Sequence, residues 1–225
     1  MPVCSWREQA EAPMELETKA LSKAVTAIRH HGCVIYPTET FYALGANAGC
    51  AAAVYRIARA KFRHRDKPMP IIVGNAGQLS LLGARVRPEL LDLAKRFWPG
   101  PLSVLVEAGM ELPGLVLDSE GLACVRVSSH PLAQRLALRA GVALVATSAN
   151  RAGNNPPSRP GDIDPDLAEA ADSVIPDRPW PAGGQPSTIV RCTGPGRLLL
   201  IRSGAVPAEA LRAAGYRLET ASSKN

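Results

Sequence analysis

Short apolar runs of strand length alternate with longer amphipathic segments along most of this chain. Between residues 15 and 31 the apolar side chains recur at helical spacing, and Gly32 follows as a stop signal. Residues 33–36 then form a β-prone apolar run that ends at Pro37. The same alternation recurs to the end of the chain, which predicts one α/β domain with an open, twisted mixed sheet flanked by helices.

The remaining elements are predicted from the same periodicities. Further helices are expected over 47–60, 87–97, 131–140 and 207–214. Further strands are expected over 71–73, 102–107, 122–127, 142–146, 187–190 and 197–201. Two irregular segments rich in proline and small polar residues, 154–160 and 178–186, are predicted to border an active site. The expected division is an N-terminal tail 1–14, a single domain 15–214 and a C-terminal tail 215–225.

The composition excludes several classes of protein. With 225 residues, 46% of them hydrophobic and 20% charged, the chain is typical of a folded domain rather than a disordered one. Its five cysteines are scattered and form no zinc-type spacing, which favours a reducing cytoplasm. No apolar run approaches the roughly 18 residues of a membrane span, and the N-terminus lacks a signal-peptide core. We therefore expect a cytoplasmic protein with no membrane partner.

The charge favours anionic partners. The formal net charge is +6, and the isoelectric point is about 9.3. Such a balance suggests nucleotides or RNA without choosing between them. Aromatic residues make up only 4% of the chain, which argues against a base-stacking RNA platform.

The densest cationic segment runs from Arg56 to Lys67 and contains only one acidic residue. Its cations could complement the negative end of the preceding helix. Alternatively Lys61, Arg63 and Lys67 could converge on a triphosphate, because the chain has neither a Walker loop nor a GxGxxG motif. Spacing alone leaves both interpretations open.

Small polar residues stand where several predicted strands end. They lie in 36–40, 147–150, 187–188 and 202–204, where hydroxyls either bind a polar ligand or cap a turn. The chain has no GxSxG elbow, and its four histidines form no HExxH or other ligand pair. Covalent catalysis and a zinc ion held by the protein are therefore not expected.

Taken together, the ordered motifs resemble those of a known family. They are YPTETFYALG (36–45), KFR (61–63), FWPGP (97–101), VRV (125–127), SAN (148–150) and PSTIV (186–190). In this order they are similar to the motifs of the YrdC-type threonylcarbamoyl-AMP synthases. The resemblance implies an open α/β fold with a deep basic cleft, in which L-threonine and ATP lie side by side with Mg²⁺.

The resemblance also implies roles for individual residues. Positions that match threonine-binding residues are Thr38, Thr40, Arg126, Ser148 and Ser187. Positions that match ATP-binding residues are Lys61, Arg63, Lys67, Asn150, Ser158 and Arg202, and Lys61 with Arg63 would be catalytic. The implied reaction converts threonine, bicarbonate and ATP into threonylcarbamoyl-AMP and pyrophosphate. Mg²⁺ would be held mainly by the ATP phosphates, and the product would pass to the tRNA threonylcarbamoyl-transfer machinery.

The chain departs from the family pattern at several positions, which include Ile72 and Leu122, and it has two alternative interpretations. Many relatives have Lys-Gly-Arg-Pro where this chain has the segment 61–64, Lys-Phe-Arg-His. The segment 42–45 also resembles the YciO branch, which suggests a nucleotide- or double-stranded-RNA-binding protein with little synthase activity. A carbamoyl-transfer module of the hydrogenase-maturation type is disfavoured, because its acylphosphatase and zinc-finger segments are not seen. By its length the chain is expected to be the short form of the family.

Overall fold

The computed structural model describes residues 18–62, 67–109 and 111–220, and it confirms the predicted α/β class. The α-helices within these ranges are α1 (Lys19–Arg29), α2 (Ala51–Ala60), α3 (Pro88–Phe97), α4 (Pro131–Ala140), α5 (Pro165–Ala170) and α6 (Ala208–Ala213). The first strands are β1 (Val34–Pro37), β2 (Tyr42–Gly45), β3 (Ile71–Val73), β4 (Leu102–Glu107), β5 (Leu122–Val127) and β6 (Leu144–Val145). The remaining strands are β7 (Thr147–Ser148), β8 (Ser173–Val174), β9 (Thr188–Gly194), β10 (Arg197–Arg202) and β11 (Arg217–Thr220).

These strands form two mixed sheets instead of the single sheet that we predicted. One sheet has the order β7-β2-β1-β8, and the other has the order β11-β10-β9-β4-β5-β3-β6. β2, which the sequence analysis did not predict, pairs antiparallel with β1, and the sheet that contains these two strands does not include β3. The single-sheet expectation was therefore wrong, although each sheet combines parallel and antiparallel pairs.

The two sheets approach each other closely around Val145. The Tyr36 hydroxyl donates a 2.8 Å hydrogen bond to the Val145 carbonyl. A Cβ atom on Gly45 would lie only 2.0 Å from the same oxygen, so any side chain there would force the sheets apart. The glycine that ends the YPTETFYALG motif is thus required by packing.

Two hydrophobic clusters fill the space around the sheets. The smaller one lies beneath α1 and α4 and includes Leu21, Ile28, Tyr36 and Leu136. The larger one packs α2 and α3 against both sheets. The helical periodicity predicted these helices because it places their apolar residues on one buried face.

The short elements were the ones that the sequence analysis missed. α5 starts at Pro165 and is capped by Asp164, whose carboxylate accepts a 3.0 Å hydrogen bond from the Asp166 amide. β11 lies within the predicted tail 215–225, but it pairs in parallel with β10 through its backbone. Neither element has an apolar period long enough to be recognised in sequence. In the described ranges no helix has both the length and the apolar character of a membrane span.

Candidate active site

A cavity of about 150 Å³ lies where the two sheets meet, and strand ends from both sheets line it. Its walls combine guanidinium groups, hydroxyls and small apolar surfaces. The lining residues are Thr38, Thr40, Phe41, Tyr42, Ala43, Pro70, Arg126, Ala146, Thr147, Ser148, Pro186, Ser187 and Arg202. The structure therefore brings together all five positions that match threonine-binding residues, with Arg202 beside them.

The turn between β1 and β2 forms the wall that carries Thr38 and Thr40. The Thr38 amide and hydroxyl both donate to the Phe41 carbonyl, at 3.1 and 2.7 Å, so the turn closes on itself. The two threonine hydroxyls lie 3.3 Å apart, and both residues are buried. A rigid turn after Pro37 thus presents a pair of hydroxyls to the cavity.

Arg126 enters the cavity from the end of β5 and forms a buried ion pair. Its Nε donates to Glu39 Oε1 at 2.9 Å, and only 5% of its side chain is exposed. The second carboxylate oxygen of Glu39 accepts a hydrogen bond from the Ser128 hydroxyl. Burial is the largest influence on the pKa of Glu39 and would raise it. The Arg126 guanidinium and the Ser128 hydroxyl outweigh burial, so the pKa is lowered and the carboxylate stays ionised.

Arg202 and Ser187 form the opposite wall. The Arg202 guanidinium donates to the Ser187 carbonyl at 2.6 Å and to its hydroxyl at 3.1 Å. Burial lowers the pKa of Arg202. The guanidinium nevertheless stays charged, as arginines in proteins do. A Cβ atom on Gly204 would lie 2.2 Å from the Pro186 carbonyl, so a glycine is needed where β10 leaves this wall.

Lys61 lies behind Ser148 rather than on the cavity lining. It is buried at the C-terminal end of α2, and its ammonium group donates to the carbonyls of Ser148 and Asn150. The Asn150 amide donates to the Asn154 carbonyl at 2.7 Å, which holds the same turn from the other side. The Asn150 Oδ1 atom is buried and has no hydrogen-bond partner among the described residues. Lys61 and Asn150 thus lie together next to the cavity.

The other predicted ATP-binding residues lie at the margin of the site or beyond the described ranges. Ser158 is half-buried outside the lining and faces the backbone at Gly183, and Lys67 is exposed. Arg63 falls outside the described residues. The roles assigned to all these positions stay predictions.

The loop 178–186 borders the site, as predicted. Its Ala182 and Gly183 amides donate to the carbonyls of Glu39 and Thr40, at 3.2 and 2.8 Å. The Nε2 atom of the His130 imidazole lies 2.8 Å from the Pro179 carbonyl oxygen, and the Nδ1 atom accepts a hydrogen bond from the Leu132 amide. Burial lowers the pKa of His130, so the ring is neutral and Nε2 carries the proton.

The sequence analysis missed three polar residues that support the lining. Glu39 and Ser128 hold Arg126, and Ser103 donates a 3.0 Å hydrogen bond to the Ser187 hydroxyl. Glu39 stands inside the motif that was recognised, between two threonines that were assigned roles. An acidic residue two positions after a buried strand was the available signal, because a buried carboxylate requires a cation or several donors.

Within the described ranges no three histidine, cysteine or acidic side chains come together as a metal site. Glu39, the carboxylate behind the cavity wall, is already engaged by Arg126 and Ser128. The described residues therefore do not offer a built magnesium site at the cavity.

Comparison with known proteins decides the family. A profile named Sua5_yciO_yrdC, with the description "Telomere recombination", matches residues 26–204. This chain belongs to the Sua5/YciO/YrdC family. The match confirms the family expected from the motifs, and it covers every lining residue of the cavity.

Relatives of this chain include proteins of both the Sua5 and the YciO type. A protein of Xylella fastidiosa named threonylcarbamoyl-AMP synthase is 32% identical over 174 residues, which cover 76% of this chain and 92% of the relative. The structure of P. abyssi Sua5 complexed with L-threonine matches with a TM-score of 0.78 and 32% identity, covering 88% of this chain and 58% of that one. E. coli YciO matches with a TM-score of 0.71 and 26% identity, covering 82% and 89%. The chain therefore spans little more than half of the Sua5 chain.

Proposed function

We propose that this protein is a cytoplasmic L-threonylcarbamoyladenylate synthase that makes threonylcarbamoyl-AMP and pyrophosphate from L-threonine, bicarbonate and ATP. The observation that carries the proposal is the buried guanidinium of Arg126 facing a cavity lined by threonine and serine hydroxyls. The relatives named threonylcarbamoyl-AMP synthase and the Sua5 solved with L-threonine support it.

The cavity is suited to an amino acid that carries a hydroxyl group. Arg126 would pair with the threonine carboxylate through its two Nη nitrogens, since planar guanidinium groups bind carboxylates bidentately. The hydroxyls of Thr38, Thr40, Ser148 and Ser187 line the same space and supply both donors and acceptors.

The nucleotide would lie beside the turn 148–150. The Asn150 Oδ1 atom is a buried acceptor without a donor among the described residues, and a nucleoside hydroxyl or amino group could donate a hydrogen bond to it. Lys61, Lys67 and Arg63 would neutralise the phosphates, while Ser158 and Arg202 would contact the nucleotide from the other side. Magnesium would enter with ATP as part of the substrate, held mainly by phosphate oxygens.

The chemistry requires positioning more than a protein nucleophile. The threonine amine and bicarbonate give a carbamate and water. A carbamate oxygen then bonds to the α-phosphorus of ATP, and the bond to the β-phosphate oxygen breaks to release pyrophosphate. Cations at this step stabilise the charge of the transferring phosphoryl group. The product would then pass to the machinery that modifies tRNA.

A YciO-like protein that binds nucleotide or double-stranded RNA with little synthase activity is the second candidate. The E. coli YciO match and the segment 42–45 favour it. A binding protein of this kind needs only distributed cations, whereas this cavity buries a guanidinium and several hydroxyls at one place.

Incubation of the purified protein with ATP, Mg²⁺, bicarbonate and labelled threonine distinguishes the two candidate functions. The synthase is expected to release pyrophosphate and to form a labelled adenylate, and both should require threonine. The Arg126→Ala variant should lose threonine use by roughly 30-fold or more, whereas Arg191→Ala, which changes a partly exposed arginine far from the cavity, should not. Pyrophosphate that forms equally without threonine contradicts the proposal and favours the YciO-like alternative.

A further inference from the structure

Glu39 lies behind the cavity wall and holds Arg126. Only 11% of its side chain is exposed, and it is not among the residues that line the cavity. One carboxylate oxygen accepts from Arg126 Nε at 2.9 Å, and the other accepts from the Ser128 hydroxyl. The Ser128 oxygen in turn accepts a 3.1 Å hydrogen bond from the His130 amide. The carboxylate is therefore fixed at both oxygens.

This arrangement also fixes the orientation of the guanidinium. The group is planar, so a bond at Nε sets the direction in which Nη1 and Nη2 point. Among the described residues neither Nη atom has a hydrogen-bond acceptor, and Arg126 lines the cavity. The two Nη nitrogens of Arg126 therefore remain available to bind a carboxylate bidentately.

Glu39 also limits the positive charge of the wall. Arg202 lines the same cavity, and Arg126 is close enough to disfavour its charged form. Arg202 is bonded to the neutral oxygens of Ser187, so the carboxylate of Glu39 compensates one of two neighbouring cations. The net charge of the three groups is one positive unit, which suits one substrate carboxylate.

We infer that Glu39 is a positioning residue for amino-acid binding, which acts by directing both Nη nitrogens of Arg126 into the cavity. The inference rests on the proposed threonine site. It concerns recognition of the amino acid and not of the nucleotide, because Glu39 contacts Arg126 and Ser128 and none of the predicted phosphate-binding residues.

The direct test is the Glu39→Gln variant, which keeps the size of the side chain and removes its charge. The threonine KM should rise by about 10-fold or more, while the ATP KM changes by less than about 2-fold. Glu120→Gln is the matched control, since Glu120 pairs with Arg191 on the same sheet but is 63% exposed. Glu120→Gln should change neither the threonine KM nor the ATP KM. An equal rise of both KM values in Glu39→Gln overturns the inference.

A double-mutant cycle separates positioning from a general effect on the fold. If Glu39 acts through Arg126, Glu39→Gln should change the threonine KM by less than about 2-fold in the Arg126→Lys background. Full additivity of the two substitutions overturns the inference. Should Glu39→Gln not fold, Ser128→Ala releases one carboxylate oxygen and is expected to raise the threonine KM by about 3-fold.

A measurement without substrate distinguishes this inference from the proposed function. In ¹⁵N-arginine-labelled protein the Arg126 Nε–H resonance, assigned by its loss in Arg126→Lys, should exchange slowly with water. It should exchange at least about 10-fold faster in Glu39→Gln or Ser128→Ala. Unchanged exchange overturns the role of Glu39 even if the enzyme is active. Slow exchange in a wild-type protein that binds no threonine contradicts the proposed function alone.

Discussion

Arginines line more than one cavity among the described residues, and the candidate site is smaller than another of these cavities. The cavity between the sheets measures about 150 Å³, whereas a second one at the far end of the seven-stranded sheet measures about 220 Å³. The second cavity is lined by Arg85, Arg87 and Arg191. Arg87 and Arg191 are partly exposed and pair with the surface carboxylates of Glu107 and Glu120, whereas Arg126 is almost entirely buried.

The two cavities also arise differently. β4 and β9 pair only as far as Leu105↔Arg191, and the far cavity opens between the ends of these strands. The inner cavity is lined by hydroxyl groups that include those of Thr38 and Ser187, and these two form hydrogen bonds within the cavity walls. Buried cations among hydroxyls, rather than volume or the number of arginines, therefore distinguish the candidate site.

The largest expected difference between the cavities concerns stability. Arg126→Ala leaves the Glu39 carboxylate buried without its cation and should lower the free energy of unfolding by about 3–5 kcal/mol. Arg191→Ala breaks a pair at the surface and should cost about 0–1 kcal/mol. Urea unfolding of the two variants checks this. Equal losses would mean that burial does not separate the two ion pairs.

The second test compares a hydroxyl group of the inner cavity with one of the far cavity. Ser187→Ala removes the acceptor of the Ser103 hydroxyl and one acceptor of Arg202, so it should cost about 1–3 kcal/mol. Thr193→Ala, in an exposed part of the far cavity, should stay within about 0.5 kcal/mol. Chemical unfolding measures both, and a neutral Ser187→Ala would contradict the structural importance of this wall.

Part of the pH dependence of stability should originate at and next to the inner cavity. The pKa of Glu39 is lowered from its ordinary value of 4.5, so below that value the unfolded chain takes up a proton that the folded chain does not. The free energy of unfolding should therefore decrease as the pH falls below 4.5. The lowered pKa of His130 gives the same sign below its ordinary value of 6.5.

Urea titrations on both sides of each window check these signs. Glu39→Gln should show a smaller decrease below 4.5, and His130→Gln a smaller decrease just below 6.5, each by at most about 1.4 kcal/mol per pH unit. An unchanged acid profile in Glu39→Gln would show that the buried pair does not control it.

The smallest effect is expected at the far cavity. Arg87 pairs with Glu107, and both side chains are about half exposed, so Arg87→Ala should cost roughly 0–1 kcal/mol and leave threonine use unchanged. Thermal unfolding and the synthase assay check the two expectations. A clear loss of threonine use would mean that the far cavity takes part in the function.

Much of the fold and the lining of the site could be predicted from local sequence. α1 and α4 follow from apolar residues at helical spacing, and β5 from an apolar run of strand length. β7 and β8 could not be predicted, since each is only two residues long and is defined by its pairing partner. Arg126 and Ser187 were recognised by motif, but Glu39 was not, because its partner lies on a strand that is distant in sequence.

The order of residues alone determined the α/β class, the family and the presence of hydroxyls and cations at strand ends, because these features depend on local periodicity and motif spacing. Only the tertiary structure decided that the strands divide into two sheets, and that Glu39 holds Arg126 across a separation of 87 residues in the chain. The physical reason is that backbone pairing and the burial of charge depend on contacts between distant segments. A residue's neighbours in sequence do not specify those contacts.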